Sequence, residues 1–420
     1  MADPLSLESP LPPPRWLALL DRNPALTFVC SVLGLGVGPF VLFLLTANFE
    51  GTLVLPPPDG AAARSLVDHI EVGGTGARGM LEDLIFLTYF ALFPAFPSLL
   101  GPTHRALQRA LSQSPRYLRV VSEEGPIGLT RAQIALLRTY YGRLTTGDRT
   151  PLTSDEAAGL TALGITDRRG RMFAFHVALV VGALLYWIKG THSHWNASDV
   201  YGFSIWADQT HLLGFAARTL YEGVVYVGLM PVLLIAMVRL FYTTSRLLWV
   251  LQRQRALRFV PFAADDAGHV GGFGTTCLFL LALFVPFLLP VLTYLFTYPV
   301  TGLLVFGGTL VILALPAVMF LPLLGLHRAL RGLRDDELAR LSDDLGGLYE
   351  QVRDDLPQFE LRGDDAERAL VALDALEKAE ILFSKVRDMH TWPYTRQTMA
   401  AVATGTAVVA SSLFGRFFNL

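Results

Sequence analysis

Apolar residues in this chain gather into long runs separated by polar, arginine-rich stretches. A helix crossing about 30 Å of hydrocarbon needs about 20 such residues. Ala25–Ala47 meets this with no charge at all. Leu84–Gly101 is shorter and holds Pro94 and Pro97; Met172–Ile188 and Thr219–Tyr242 follow. Phe273–Thr297 and Thr301–Leu326 are joined by a tight turn around Tyr298 and Pro299. Met399–Phe418 is rich in small residues (AAVATGTAVVASS), which suits close packing among other helices or a re-entrant segment. Two later stretches change period. Leu338, Leu341, Leu345, Leu348 and Val352 recur at three-and-four spacing, as do Leu370, Leu373, Leu376, Ala379, Leu382, Val386 and Met389. With Pro357 and Gly363 between them, they predict an antiparallel hairpin outside the membrane. In the arginine-rich stretch after the second run, Thr130–Leu144 has helical periodicity, and Thr153-Ser154-Asp155-Glu156 reads as a helix start.

Composition turns these runs into membrane spans. Of 420 residues 52% are hydrophobic and 17% charged, against about 25% charged in ordinary soluble domains. A disordered chain, a disulfide scaffold and a nucleic-acid binder working by bulk positive charge are excluded; net charge is −2. Basic residues set the orientation. Eleven lie in 102–171, four in 245–270, eleven in 327–396, and Arg15 and Arg22 precede the first run. The alternate loops, 48–82 and 191–218, hold only Arg64, Arg78 and Arg218. The expected fold class is therefore an all-α polytopic membrane protein with seven transmembrane helices, N-terminus inside and C-terminus outside, carrying a cytoplasmic helical hairpin. Six spans plus an interfacial last helix is the alternative. The expected segments are 1–24 (cytoplasmic), 25–101 (two spans with an outer loop), 102–171 (a cytoplasmic helical insert), 172–326 (spans three to six), 327–393 (the hairpin) and 394–420 (the last span). MADPLSLESPLPPPR lacks a basic n-region before an apolar core, so the first run is expected to stay as an anchor. Only Lys189, Lys378 and Lys385 are lysines, a composition typical of a GC-rich bacterial genome. A bacterial inner membrane is therefore the expected location.

Candidate chemistry is sparse. Cys30 and Cys277 lie in apolar runs and read as buried hydrophobes. Gly73–Gly79 lacks the Gly-Lys-Ser/Thr ending of a phosphate loop, and Gly34-Leu35-Gly36-Val37-Gly38 reads as close helix packing. No HExxH, GxSxG or paired intramembrane aspartate motif occurs, so neither an enzyme nor a cofactor or metal is expected. His192, His194 and His211 fall in an outer loop beside Trp206, where an aromatic belt or a ligand site would lie. Glu222, near the outer end of the fourth span, could concentrate cations at a pore mouth. Prolines 94, 97, 231, 286, 290, 316 and 322 interrupt four spans and offer hinges or water-lined backbone.

Asp265-Asp266-Ala267-Gly268-His269-Val270-Gly271-Gly272-Phe273-Gly274 resembles a loop of an uncharacterised group of bacterial multi-pass proteins. There a His-Pro-Asp stretch leads into Gly-Gly-Leu-Gly before an apolar span. This chain lacks the His-Pro and has Phe273 in place of the leucine. The resemblance implies a bacterial membrane protein and no particular activity. The seven-span layout with a hairpin before the last span is similar to the insect odorant and gustatory receptor channels, in architecture only. That similarity implies a homo-oligomer, a tetramer, whose last span lines a pore through Thr404, Thr406, Ser411 and Ser412. The expected function is an oligomeric channel gated through the cytoplasmic helices. The alternatives are a transporter for a neutral or apolar solute and a non-conducting scaffold or sensor that recruits a cytoplasmic partner. The expected partners are the lipid bilayer, further copies of the chain and an unidentified ion or small ligand, with no nucleic acid.

Overall fold

The computed structural model describes residues 23–53, 79–83, 86–88, 90, 93–119, 128–146, 148, 150–166, 169–201, 205–258, 269–283, 302–355, 364–394, and 399, 400, 402–404, 407 and 411. Among them the structure is helical, with a single antiparallel bridge, Leu118–Leu257. Helix α1 comprises Pro24–Ser31 and Gly38–Glu50, joined by a π-helical turn, Val32–Val37. Then come α2 (Ala95–Ser112), α3 (Arg131–Thr146), α4 (Ser154–Ala162) and α5 (Arg169–Trp195). Helix α6 runs from Leu212–Glu222 through a second π-turn, Gly223–Leu229, into Met230–Arg253. Gly271–Leu283 is α7, Gly302–Asp355 is α8 and Asp364–Asp388 is α9.

Among the described residues three helices are long and apolar enough to cross a membrane: Ala25–Glu50, Arg171–Trp195 and Leu212–Arg253. Their uncovered faces are apolar. Leu33, Leu45 and Phe49 on α1, and Leu185 and Ile188 on α5, are exposed. In water such faces would drive association; beside acyl chains they sit at no cost. The count of seven spans is not reproduced at this level. The stretch expected as the second span turns at Phe93–Pro94 before α2, and much of the fifth and seventh lies outside the described residues. Cys277 is buried as expected, but Cys30 is exposed on α1.

The two π-turns each precede a proline, Pro39 and Pro231. Pro39 has no N–H for the Leu35 carbonyl four residues earlier. The Tyr221 hydroxyl of α6 donates to it instead, at 3.0 Å. The glycine run does allow close packing: a Cβ on Gly36 would come within 3.1 Å of the Phe90 carbonyl and Pro94.

Buried side chains form two cores. One, at the end expected outside, gathers Phe43, Phe86, Phe90, Phe93, Trp206 and Tyr221. The other, at the opposite end, joins α2 and α3 to α6, α7 and α8 through Leu107, Leu137, Leu247, Phe273 and Leu323. The stretch expected as an insert therefore shares its core with these apolar helices. Its α4 begins as expected: Thr153 accepts from the Glu156 N–H at 3.2 Å and Glu156 accepts from the Thr153 N–H at 2.9 Å, a capping box. The Arg143 guanidinium, 3.1 Å away, also holds Glu156. These bonds, the backbone one first, keep its carboxyl below the ordinary glutamate range.

The sixth apolar run and the first hairpin helix are one object, α8. At 1.5 Å per residue its 54 residues reach about 81 Å. Helix α9 packs back along it. Leu341, Val386 and Met389 are buried, whereas Leu370 and Leu373 of the expected stripe are exposed.

Candidate functional site

Helices α5 and α6 both extend past their expected limits. The third apolar run stops at Ile188, but α5 continues to Trp195, so His192 and His194 stand on a helix rather than in a loop. The fourth starts at Leu212 rather than Thr219, because Glu50 at the end of α1 caps it. The Leu213 and Gly214 N–H groups donate to the Glu50 carboxylate at 2.7 and 2.9 Å. An acid at a helix N-terminus is favoured by unpaired amides and by the macrodipole.

Before α6, the Asp208 carboxylate accepts from the Ile205 and Thr210 N–H groups at 3.2 and 2.9 Å and bends the chain. This turn drives Trp206 into the outer core, where it is fully buried against Phe43 and Phe86. Its indole Nε1 donates to Asp83 at 3.2 Å.

Two turns into α6 is Arg218, whose guanidinium is engaged on every side. Nη1 donates to Asp83 at 2.8 Å and Nε to Glu222 at 2.9 Å. Nη2 lies 3.1 Å from His194 Nε2. A guanidinium only donates, so that nitrogen of His194 accepts and the ring proton sits on Nδ1, 3.5 Å from Glu222 Oε2. Phe86 lies under the arginine, 4.8 Å from ring centre to Cζ. Asp83, Arg218 and Glu222 are each 5% exposed. Trp187 on α5 closes the side by donating to the Thr219 carbonyl at 3.2 Å. The cluster ties α5, α6 and the start of the second apolar stretch together at one end of the bundle.

Among the residues expected here, the structure brings together Glu222, His194 and Trp206. His192 turns away, 3.3 Å from the Asn196 amide. His211 stands at the N-cap of α6 and makes no side-chain capping bond. Glu222 is an enclosed ion-pair partner. Asp83 and Arg218, the centre of the cluster, were not expected. The i,i+4 spacing of Arg218 and Glu222 was the available signal; nothing local points to Asp83, 135 residues before Arg218. Thr404 and Ser411 lie on exposed positions of the last helix, while Thr406 and Ser412 are outside the described residues.

The arrangement suits holding rather than reacting. Two carboxylates meet one guanidinium, and no nucleophile and base face an open space in it. No protein family, curated protein or solved structure matches the chain. Its class therefore rests on its own features: a helical protein with helices long and apolar enough to cross a membrane, pinned at one end by a buried ion-pair cluster.

Proposed function

We propose that this chain is a non-enzymatic multi-pass protein of a bacterial inner membrane that assembles with copies of itself into a channel gated through its cytoplasmic hairpin. The observation that carries this is how the hairpin is attached. It begins as an unbroken continuation of α8. It ends in residues 389–394, which return to the same helix: the Tyr394 hydroxyl donates to the Met319 carbonyl at 3.0 Å, and Trp392 stacks on His327 at 4.2 Å. A side chain on Gly274 of α7 would run into the Pro393 carbonyl, so α7 is held at the same point. Residues 399 and 400, five and six positions after Tyr394, are already helical. A hairpin fixed at both ends to membrane helices passes its own displacement to them.

The last helix supports assembly. Met399 and Val402 pack on the inner core. Ala400, Thr404, Ala407 and Ser411, at i, i+4, i+7 and i+11, are exposed on the opposite side. Small residues so spaced let helices of neighbouring copies approach closely. The architectural similarity to the insect receptor channels makes a tetramer with Thr404 and Ser411 on its axis the specific form of this proposal.

Ion flux into liposomes containing the purified full chain tests it. Thr404→Trp and Ser411→Trp are expected to lower flux about tenfold or more while the oligomer persists in detergent. A monomer without flux, or flux unchanged by both variants, overturns it. A second reading, a non-conducting scaffold, is favoured by the exposed Tyr349, Leu370, Val371 and Ile381 on the hairpin. It predicts a stable protein with no flux under any condition.

A further inference from the structure

At the other end of α6 lies a feature the proposed function does not use. Tyr242, Ser245, Arg246 and Trp249 of α6, with Leu321, Pro322 and Gly325 of α8, line a cavity of about 270 Å³. That is just below the ~300 Å³ at which pockets for drug-sized ligands begin, so it suits a small group. The Arg246 guanidinium lies over the Trp249 ring at 4.4 Å, and Arg253 stands 5.2 Å from the same ring. Neither arginine pairs with a carboxylate among the described residues. Arg246 Nε and the Tyr242 hydroxyl are enclosed, and they meet no hydrogen-bond partner within the described protein. Buried donors without partners are costly and rare, so a site that keeps two of them, one on the cation itself, is built for an acceptor from outside.

Position narrows what that acceptor is. Tyr242 is the last residue of the expected fourth span and Leu326 the last of the sixth, so the cavity sits at the inner boundary of the hydrocarbon. Its rim is apolar and uncovered: Leu321 is 61% and Trp249 36% exposed. Tryptophan and arginine at this depth stand at headgroup level, and basic pockets between membrane helices on the cytoplasmic side take anionic headgroups. We propose that this cavity binds the phosphate of an anionic glycerophospholipid of the inner leaflet. Arg246 is its counter-ion, the Tyr242 hydroxyl a donor to a phosphate oxygen, and the acyl chains lie along Leu321. The inference rests on the chain crossing the membrane and is independent of conduction.

Native mass spectrometry of the full chain, released from vesicles of mixed phosphatidylglycerol and phosphatidylcholine, tests it. The unaltered chain is expected to retain phosphatidylglycerol preferentially. Arg246→Gln is expected to lower that preference about fivefold, as for one lost cation at a membrane surface, and Arg246→Lys to keep part of it. Arg331→Gln removes the same charge from an exposed position on α8 and is expected to change nothing. Equal preference in Arg246→Gln and the unaltered chain overturns the proposal, as does equal loss in Arg331→Gln, which would mean bulk charge alone. Inorganic phosphate binding in detergent as tightly as the lipid overturns the assignment to a lipid. Unfolding temperatures of all three variants show whether the chain stays folded.

Discussion

Arg218 and Arg246 stand on the same helix, about 42 Å apart at 1.5 Å per residue, and each lies over an aromatic ring. Their surroundings differ in one respect. Arg218 is closed in by Asp83, Glu222 and His194. Arg246 has an aromatic shelf and no acid among the described residues. The first arginine is saturated by its own chain and acts as a tie. The second has capacity left over. An arginine near a membrane boundary is thus read by its partners: internal carboxylates make it structure, and their lack makes it a receptor for something else.

The largest expected effect separates the two directly. Arg218→Gln leaves two buried carboxylates without their guanidinium, and breaking a buried ion pair costs about 3–5 kcal/mol. The unfolding temperature in detergent should fall steeply, whereas Arg246→Gln should leave it nearly unchanged in neutral detergent. Equal drops would show that both arginines are structural. Next in size is Tyr221→Phe beside the Arg218 cluster. It strands the Leu35 carbonyl freed by Pro39, a loss of about 1–3 kcal/mol, read from the same unfolding curves.

The smallest effect lies at the inner end and depends on pH. Burial first, and then Arg331, Arg334 and Arg328, hold the His327 imidazole below its usual range, against a backbone bond to Thr391 that works the other way. The folded hairpin base therefore prefers the neutral ring. Its contribution is complete above about pH 6.5 and declines as the pH falls through the lowered folded value. Protection of the 389–394 amides, relative to the intrinsic exchange rate at each pH, should fall roughly two- to threefold at mildly acidic pH. His327→Gln should remove that dependence.

Several of the helices were legible in the sequence. The hairpin followed from leucine spacing and the α4 start from Thr153 and Glu156. Both are local signals. The Arg218 cluster was not legible, because its partners come from residues 83, 194 and 222, and separation along the chain hides what folding joins. Hydropathy also ended α5 at Ile188 and began α6 at Thr219. It measures what each residue prefers as solvent, while a helix ends where its backbone bonds end. Glu50 supplied those bonds from another helix.

The unbroken α8 has a mechanical consequence. Residues 327–355 form a rigid arm of about 43 Å beyond the expected span. Such an arm is a lever with its fulcrum where Trp392 and Tyr394 grip it. A tilt of roughly 5° at that fulcrum moves the far tip by about 4 Å, close to the rise of three helical residues. The same geometry works in reverse: a partner that pulls on the tip gains leverage over the membrane helices.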